Sequence, residues 1–156
     1  MDLEDAVALD PKKAARNQIA AALLERGYGQ RELIVRTNSL YSPWGEDDLK
    51  AVAGMGADAV LLPKVEGRGM VLEAMAIVDQ VGGPTDLPIW CMMETPLAML
   101  HAEEMAFAQK RAGCLVMRTS DLAKDLRSTH TLSRTPLVTS LELCILAARA
   151  AGIGIL

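Results

Sequence analysis

Aromatic side chains are nearly missing from this chain. They make up 3% of its 156 residues, and Phe107 is the sole phenylalanine. The core must therefore be filled by Ala, Val, Leu, Ile and the nine methionines, whose flexible thioethers suit irregular gaps. Basic runs are absent and the net charge is −4, which argues against nucleic acid as the main partner. No apolar run approaches the length of a membrane span, so no membrane partner is expected. The acidic first residues do not resemble a signal peptide, and the expectation is a cytoplasmic protein. The three cysteines, Cys91, Cys114 and Cys144, are widely spaced and odd in number. That pattern suits reduced, buried thiols, with a metal site as the lesser alternative. No Gly-x-Gly-x-x-Gly turn follows any apolar run, so a dinucleotide-binding sheet has weak support.

What is present is a repeat. Hydrophobic residues make up 51%, enough for one domain over residues 1–156 with a real core. Short apolar runs recur at 33–36, 59–62, 88–93 and 114–117, each followed by polar residues. Residues 1–5 look like the tail of another strand, and 153–156 like the start of one more. Helical patterns lie between them. Asp10 and Pro11 can open one that runs through Ala14 to Leu24; others span Glu46 to Gly54 and Gly69 to Val81. Thr95 and Pro96 open a fourth that runs to about Arg111, and a fifth spans Pro136 to Ala151. Ser120 to Leu126 fits a short helix capped by Ser120.

Strand and helix alternate about every 30 residues, the size of a βα unit, and such alternation means a parallel sheet. A doubly wound sheet and a (β/α)8 barrel both fit. In a barrel, function sits at the C-terminal strand ends. Here those ends carry Glu4 and Asp5, Arg36 and Asn38, Lys64 and Glu66, Glu94, and Arg118 to Asp121. Only about six strands are accommodated, so the expectation is either a different, smaller sheet or, as the strand-like first and last residues favour, an incomplete barrel.

Glu94 and Asp121 come from different strand ends and can converge on a hard cation such as Mg²⁺. Either they do so, or each merely complements a helix N-terminus. Arg36 either clamps a substrate carboxylate through its fork of donors or forms a structural ion pair. Lys64 and Glu66 can pair with each other. Glu4 and Asp5, if in a strand, point to opposite faces, so at most one faces the mouth without a bend. His101 and His130 are expected to be surface or internally satisfied histidines.

Five ordered segments carry a resemblance: DLEDAV at 2–7, IVRTN at 34–38, LLPKVE at 61–66, METP at 93–96 and VMRTSDLAKDL at 116–126. With PWGEDDL at 43–49, the whole chain resembles the citrate lyase β subunit family of the HpcH/HpaI aldolase superfamily. That family includes malyl-CoA and related 3-hydroxyacyl-CoA lyases. The resemblance implies a (β/α)8 barrel, usually in trimers or hexamers, with Mg²⁺ holding a keto acid. It implies Glu94 and Asp121 as metal ligands and Arg36 as the group that binds the keto-acid carboxylate and stabilises an enolate. Asp5 would share the catalysis and lie with Glu4 near the ion's water; Glu4, Asn38 and Lys64 would border the substrate, an acyl-CoA or keto acid.

Three features depart from the family. Its first strand, with an arginine and a Phe-x-Pro-Gly turn, has no counterpart, nor has its eighth strand with the covering C-terminal segment. The glycine of its Met-Gly-Thr motif is Arg118 here. The chain thus resembles strands two to seven of that barrel. A guanidinium at 118 can stand between Glu94 and Asp121 and compete with Mg²⁺, or turn outward to the helix layer. Three functional readings stay open: a Mg²⁺-dependent acyl-CoA lyase, a non-catalytic barrel remnant that binds or oligomerises, and an aldolase for free hydroxy keto acids.

Overall fold

Five parallel strands in sequential order, β1-β2-β3-β4-β5, form one sheet in a computed structural model of the chain. Residues 1–7, 12–25, 27–129 and 131–156 are described; Asp10, Pro11 and His130 lie outside them. The strands are β1 (Ile34–Arg36), β2 (Ala59–Leu62), β3 (Ile89–Met93), β4 (Ala112–Met117) and β5 (Gly154–Ile155). The helices are α1 (Lys12–Glu25), α2 (Gly45–Ala53), α3 (Arg68–Gln80), α4 (Pro96–Leu100), α5 (Ala102–Ala106), α6 (Thr119–Asp125) and α7 (Val138–Ala151). With every strand parallel and the helices outside, this is an open segment of a (β/α)8 barrel.

The packing follows the period-two alternation of the strands. Val35, Val60, Leu62, Ile89, Cys91, Met93 and Leu115 are buried, and they join residues of the helices, such as Val52, Val78 and Met105, in one core. The opposite face is concave, and Ile34, Arg36, Leu61, Trp90, Met92 and Val116 line a groove of about 420 Å³ along it. Burial pushes the Cys91 thiol up to about 12 and the Cys114 and Cys144 thiols to about 11, so all three stay protonated at neutral pH.

Local chemistry explains several boundaries. Thr95 caps α4, its hydroxyl accepting the Ala98 N–H at 3.2 Å, with Pro96 in the first turn. Gly152 ends α7 at φ 71°, the left-handed conformation glycine adopts without strain. Gly45 opens α2 because a Cβ there would collide with the Ser39 carbonyl.

Four expectations are corrected. The long fourth helix is two short ones, broken at His101, whose Nδ1 lies 2.7 Å from the Glu66 carbonyl oxygen and ties the turn after β2 to the break. The last helix begins at Val138, after a 3-10 turn over Thr135–Leu137. Ser120 does not cap α6: Arg118 holds the cap position, and no side chain bonds the free N–H groups. Residues 1–5 are not a strand; Asp2 makes one parallel bridge to Arg36, and the chain then bends.

Among the described residues the sheet leaves β5 unpaired on one side and β1 with only that bridge on the other. Exposed parallel edges and a half-exposed apolar face favour association. Light scattering is expected to report an oligomer; a well-behaved monomer at micromolar concentration would count against this.

Candidate functional site

Four of the strand ends bring polar residues to one rim. Arg36 closes β1, Lys64 follows β2, Glu94 follows β3 and Arg118 follows β4. The bend at 3–7 adds the acids of the first segment. Asp2 makes that bend: its Oδ1 accepts the Glu4 N–H at 2.9 Å and its Oδ2 the Ala6 N–H at 3.1 Å. The curl lets both Glu4 and Asp5 face the rim, which a straight strand forbids.

Two guanidiniums organise these acids. Arg36 meets Asp2 in a fork, Nε to Oδ1 at 2.8 Å and Nη2 to Oδ2 at 2.7 Å. Its Nη1 lies 2.6 Å from Glu4 and 3.4 Å from Asp5. Arg118 reaches Asp5 through Nη2 at 2.6 Å and Asp121 through Nε at 2.7 Å. It also stands 3.8 Å from both Glu94 and Glu4. The Met92 thioether is their common floor, 4.0 Å from Arg36 and 3.9 Å from Arg118.

These contacts move the carboxyls in different directions. Burial pushes Asp2 up, but the Arg36 hydrogen bonds and the N–H groups of Glu4 and Ala6 outweigh it and hold Asp2 at about 2. The Arg118 hydrogen bond lowers Asp5. Glu4 is raised, because burial outweighs Arg36; the close contact is poorly aligned, and Glu4 Oε2 has no hydrogen bond. Glu94, only 2% exposed, is also raised by burial. Its Oε1 accepts the Lys64 N–H at 2.6 Å, while Oε2 faces Arg118 at 3.8 Å. Lys64 holds that N–H in place from a left-handed backbone, φ 53°, which a side chain rarely adopts. The Lys64 ammonium is exposed and close enough to lower Glu4 slightly. No Lys64–Glu66 ion pair occurs among the described residues.

Asn38 has another task. It is buried, and its amide NH2 donates to the Leu3 carbonyl at 2.9 Å and to Asp48, while its oxygen accepts from Lys12 at 3.0 Å. Both N–H groups of the amide and one lone pair of its oxygen are engaged within the fold. Sequence reasoning missed Lys12 and Asp48, the other members of this network. Lys12 is buried and also donates to the carbonyls of Leu3 at 2.6 Å and Glu4 at 2.8 Å. Asp48 is fully buried and accepts from Arg16 and from the Asn38 N–H. Together they clamp the backbone that carries Asp2, Glu4 and Asp5.

Glu94 and Asp121 offer hard oxygen donors from neighbouring units, and one guanidinium nitrogen lies 2.7 Å from Asp121 and 3.8 Å from Glu94. That donor set fits Mg²⁺, which takes one or two carboxylates and keeps several waters. Among the described residues no group of three His, Cys, Asp or Glu side chains gathers for a metal. No helix among them is long and apolar enough to cross a membrane.

A parallel α/β half-barrel with carboxylates and arginines at its C-terminal rim defines a class of barrel proteins whose chemistry sits at the strand ends. Within it, the match over residues 1–156 means that the chain belongs to the HpcH/HpaI aldolase/citrate lyase family. It is 46% identical over 154 residues to a (3S)-malyl-CoA thioesterase of Cereibacter sphaeroides, covering 99% of this chain and 52% of that protein. It is 37% identical to the citrate lyase β subunit of Escherichia coli, covering 97% of this chain and 52% of that one. A citrate lyase β subunit from Mycobacterium tuberculosis, solved with oxaloacetate and magnesium, superposes with a TM-score of 0.77 at 26% identity, covering 99% of this chain and 66% of its own. The chain thus spans about half the length of the curated relatives it matches.

Proposed function

We propose that this chain carries the rim of a Mg²⁺-dependent carbon–carbon lyase that cleaves a 3-hydroxyacyl-CoA in the cytoplasm. The observation that carries the reading is the convergence of Glu94, Asp121 and Arg36 on one rim. Glu94 and Asp121 would hold the ion. Mg²⁺, when bound, supplies positive charge next to the oxygen on which negative charge accumulates.

The chain's own groups do the rest. Asp2 occupies the Nε and Nη2 side of Arg36, so the substrate carboxylate and the developing enolate would meet the guanidinium through Nη1 and its fixed charge. In the cleavage, the 3-hydroxyl proton leaves, the C2–C3 bond breaks to give a carbonyl compound, and its electron pair goes to the thioester enolate, which then takes up a proton. Asp5, kept ionised by its hydrogen bond from Arg118, would accept the hydroxyl proton. Glu4 and Lys64 border the substrate.

A second reading is thioester hydrolysis, favoured by the 46% identity to a malyl-CoA thioesterase. One incubation separates them. Malyl-CoA yields glyoxylate and acetyl-CoA by the lyase route, but malate and free CoA by hydrolysis. Neither pair at enzyme-like rates would support a remnant that only binds, and turnover of free hydroxy acids alone would support the third reading.

The ligand assignment has its own test. Asp121→Asn is expected to weaken Mg²⁺ binding at least tenfold by calorimetry, since it removes a charged donor. Equal binding by parent and variant would end the assignment.

A further inference from the structure

We propose that Arg118 is the resident cation of the rim and determines how tightly a divalent ion can be held there. The proposal rests on the reading of Glu94 and Asp121 as ligands. It starts from what the guanidinium touches. Nε is 2.7 Å from Asp121 and 3.8 Å from Glu94, Nη2 is 2.6 Å from Asp5, and Nη1 is 3.8 Å from Glu4. Arg118 therefore does not turn outward to the helix layer. It faces the four acids of the rim that Arg36 does not hold in its fork.

Five acids surround this space: Asp2, Glu4, Asp5, Glu94 and Asp121. Arg36 satisfies Asp2 and also approaches Glu4 and Asp5, but without Arg118 the Glu94 and Asp121 carboxylates would keep no arginine beside them. A guanidinium stays protonated at any accessible pH, so its charge cannot be titrated away to make room for a metal. Mg²⁺ and Arg118 cannot both sit between Glu94 and Asp121, since two positive centres at such separation repel and each needs the same oxygens. An ion can enter only after the bond to Asp121 breaks. The side chain has somewhere to go. Asp5 is 58% exposed and stands on the bend of the first segment, so Arg118 can swing toward solvent without leaving it.

Two consequences have opposite signs. Removing the guanidinium frees the ligands and tightens Mg²⁺ binding. The same change leaves the metal-free rim crowded with like charge and lowers its stability. A purely structural arginine would produce only the second effect.

The test is a titration of the parent, Arg118→Gln and Arg118→Lys with Mg²⁺ at one ionic strength, by calorimetry and by thermal unfolding. Arg118→Gln is expected to bind Mg²⁺ roughly tenfold more tightly, with a melting temperature below the parent's in chelator and a larger upward shift on adding Mg²⁺. Arg118→Lys keeps the charge but has one compact ammonium that cannot span Asp5 and Asp121; its affinity is expected to fall between the two. Should the glutamine variant fail to fold, the lysine variant decides alone. Unchanged or weaker binding by the folded variants overturns the proposal. The ligand reading is separated by adding Asp121→Asn to Arg118→Gln. If the gain disappears, both ideas stand; if the gain survives in full, Arg118 still competes with the ion but Asp121 is not its ligand.

Discussion

Asp48→Ala is expected to cost about 3–5 kcal/mol, much of what a domain of this size has. Asp48 is fully buried and receives Arg16, the Asn38 N–H and the Asn38 amide. Its removal takes the close partner from the Arg16 guanidinium, which is 15% exposed and keeps only long contacts to Asp47 and the Trp44 carbonyl, and leaves two buried donors unpaired. Losing one partner of a buried charge pair costs far more than the pair contributes, because the survivor keeps its desolvation penalty. The damage also spreads. Asn38 orients Lys12, and Lys12 holds the Leu3 and Glu4 carbonyls, so the acids of the rim lose their footing. Asp48→Asn retains an acceptor and is expected to cost less. Chemical denaturation checks both, and a loss under about 1 kcal/mol for the alanine variant would show that the network is dispensable.

Arg36→Gln is expected to lower turnover of a 3-hydroxyacyl-CoA by roughly a thousandfold, the scale seen when a donor to a developing oxyanion is removed. Arg36→Lys restores charge without the fork and is expected to recover only part. If Arg36→Gln retains near-parental turnover, Arg36 is an ion-pair partner only. The same variant has a readout in acid. Asp2 lies at about 2 in the fold against an ordinary 3.8, so its stabilising contribution is present above pH 4 or so and is lost as the pH falls toward 2. Without Arg36 that depression largely goes, and acid unfolding moves to higher pH. Glu4 and Glu94 act with the opposite sign: burial raises them, so protonation relieves a cost and favours the fold as the pH drops through their raised values.

The parts of the rim that were legible in the sequence are those set by local rules. Glu94 and Arg118 each follow an apolar run at a strand end, and Thr95 with Pro96 announces a helix start next to Glu94. Other parts depend on partners far away in the chain. In Glu46-Asp47-Asp48 nothing local separates the third acid from the second. Burial does: the Asp47 side chain is 68% exposed and pairs loosely with Arg16, whereas Asp48 is wholly enclosed. Lys12, in the first turn of α1, has the composition of a solvated position. It is buried because the Leu3 and Glu4 carbonyls and the Asn38 amide oxygen accept hydrogen bonds from its ammonium. Asp2 has the sequence surroundings of a strand tail, and only its turn with Glu4 and Ala6 reveals why two adjacent acids face the same way. The break at His101 has no glycine or proline to mark it; its anchor is a carbonyl 35 residues earlier.

Sequential strand order has a kinetic consequence. Each strand pairs with the next in the chain, so the sheet can grow unit by unit with modest loop closures. The bond from Arg118 to Asp5 is different, since it joins residues 113 positions apart. That closure has to wait until the intervening units are docked. The scaffold therefore precedes its rim in time, and a chain halted late in folding would hold a nearly complete sheet with its charged ends still apart.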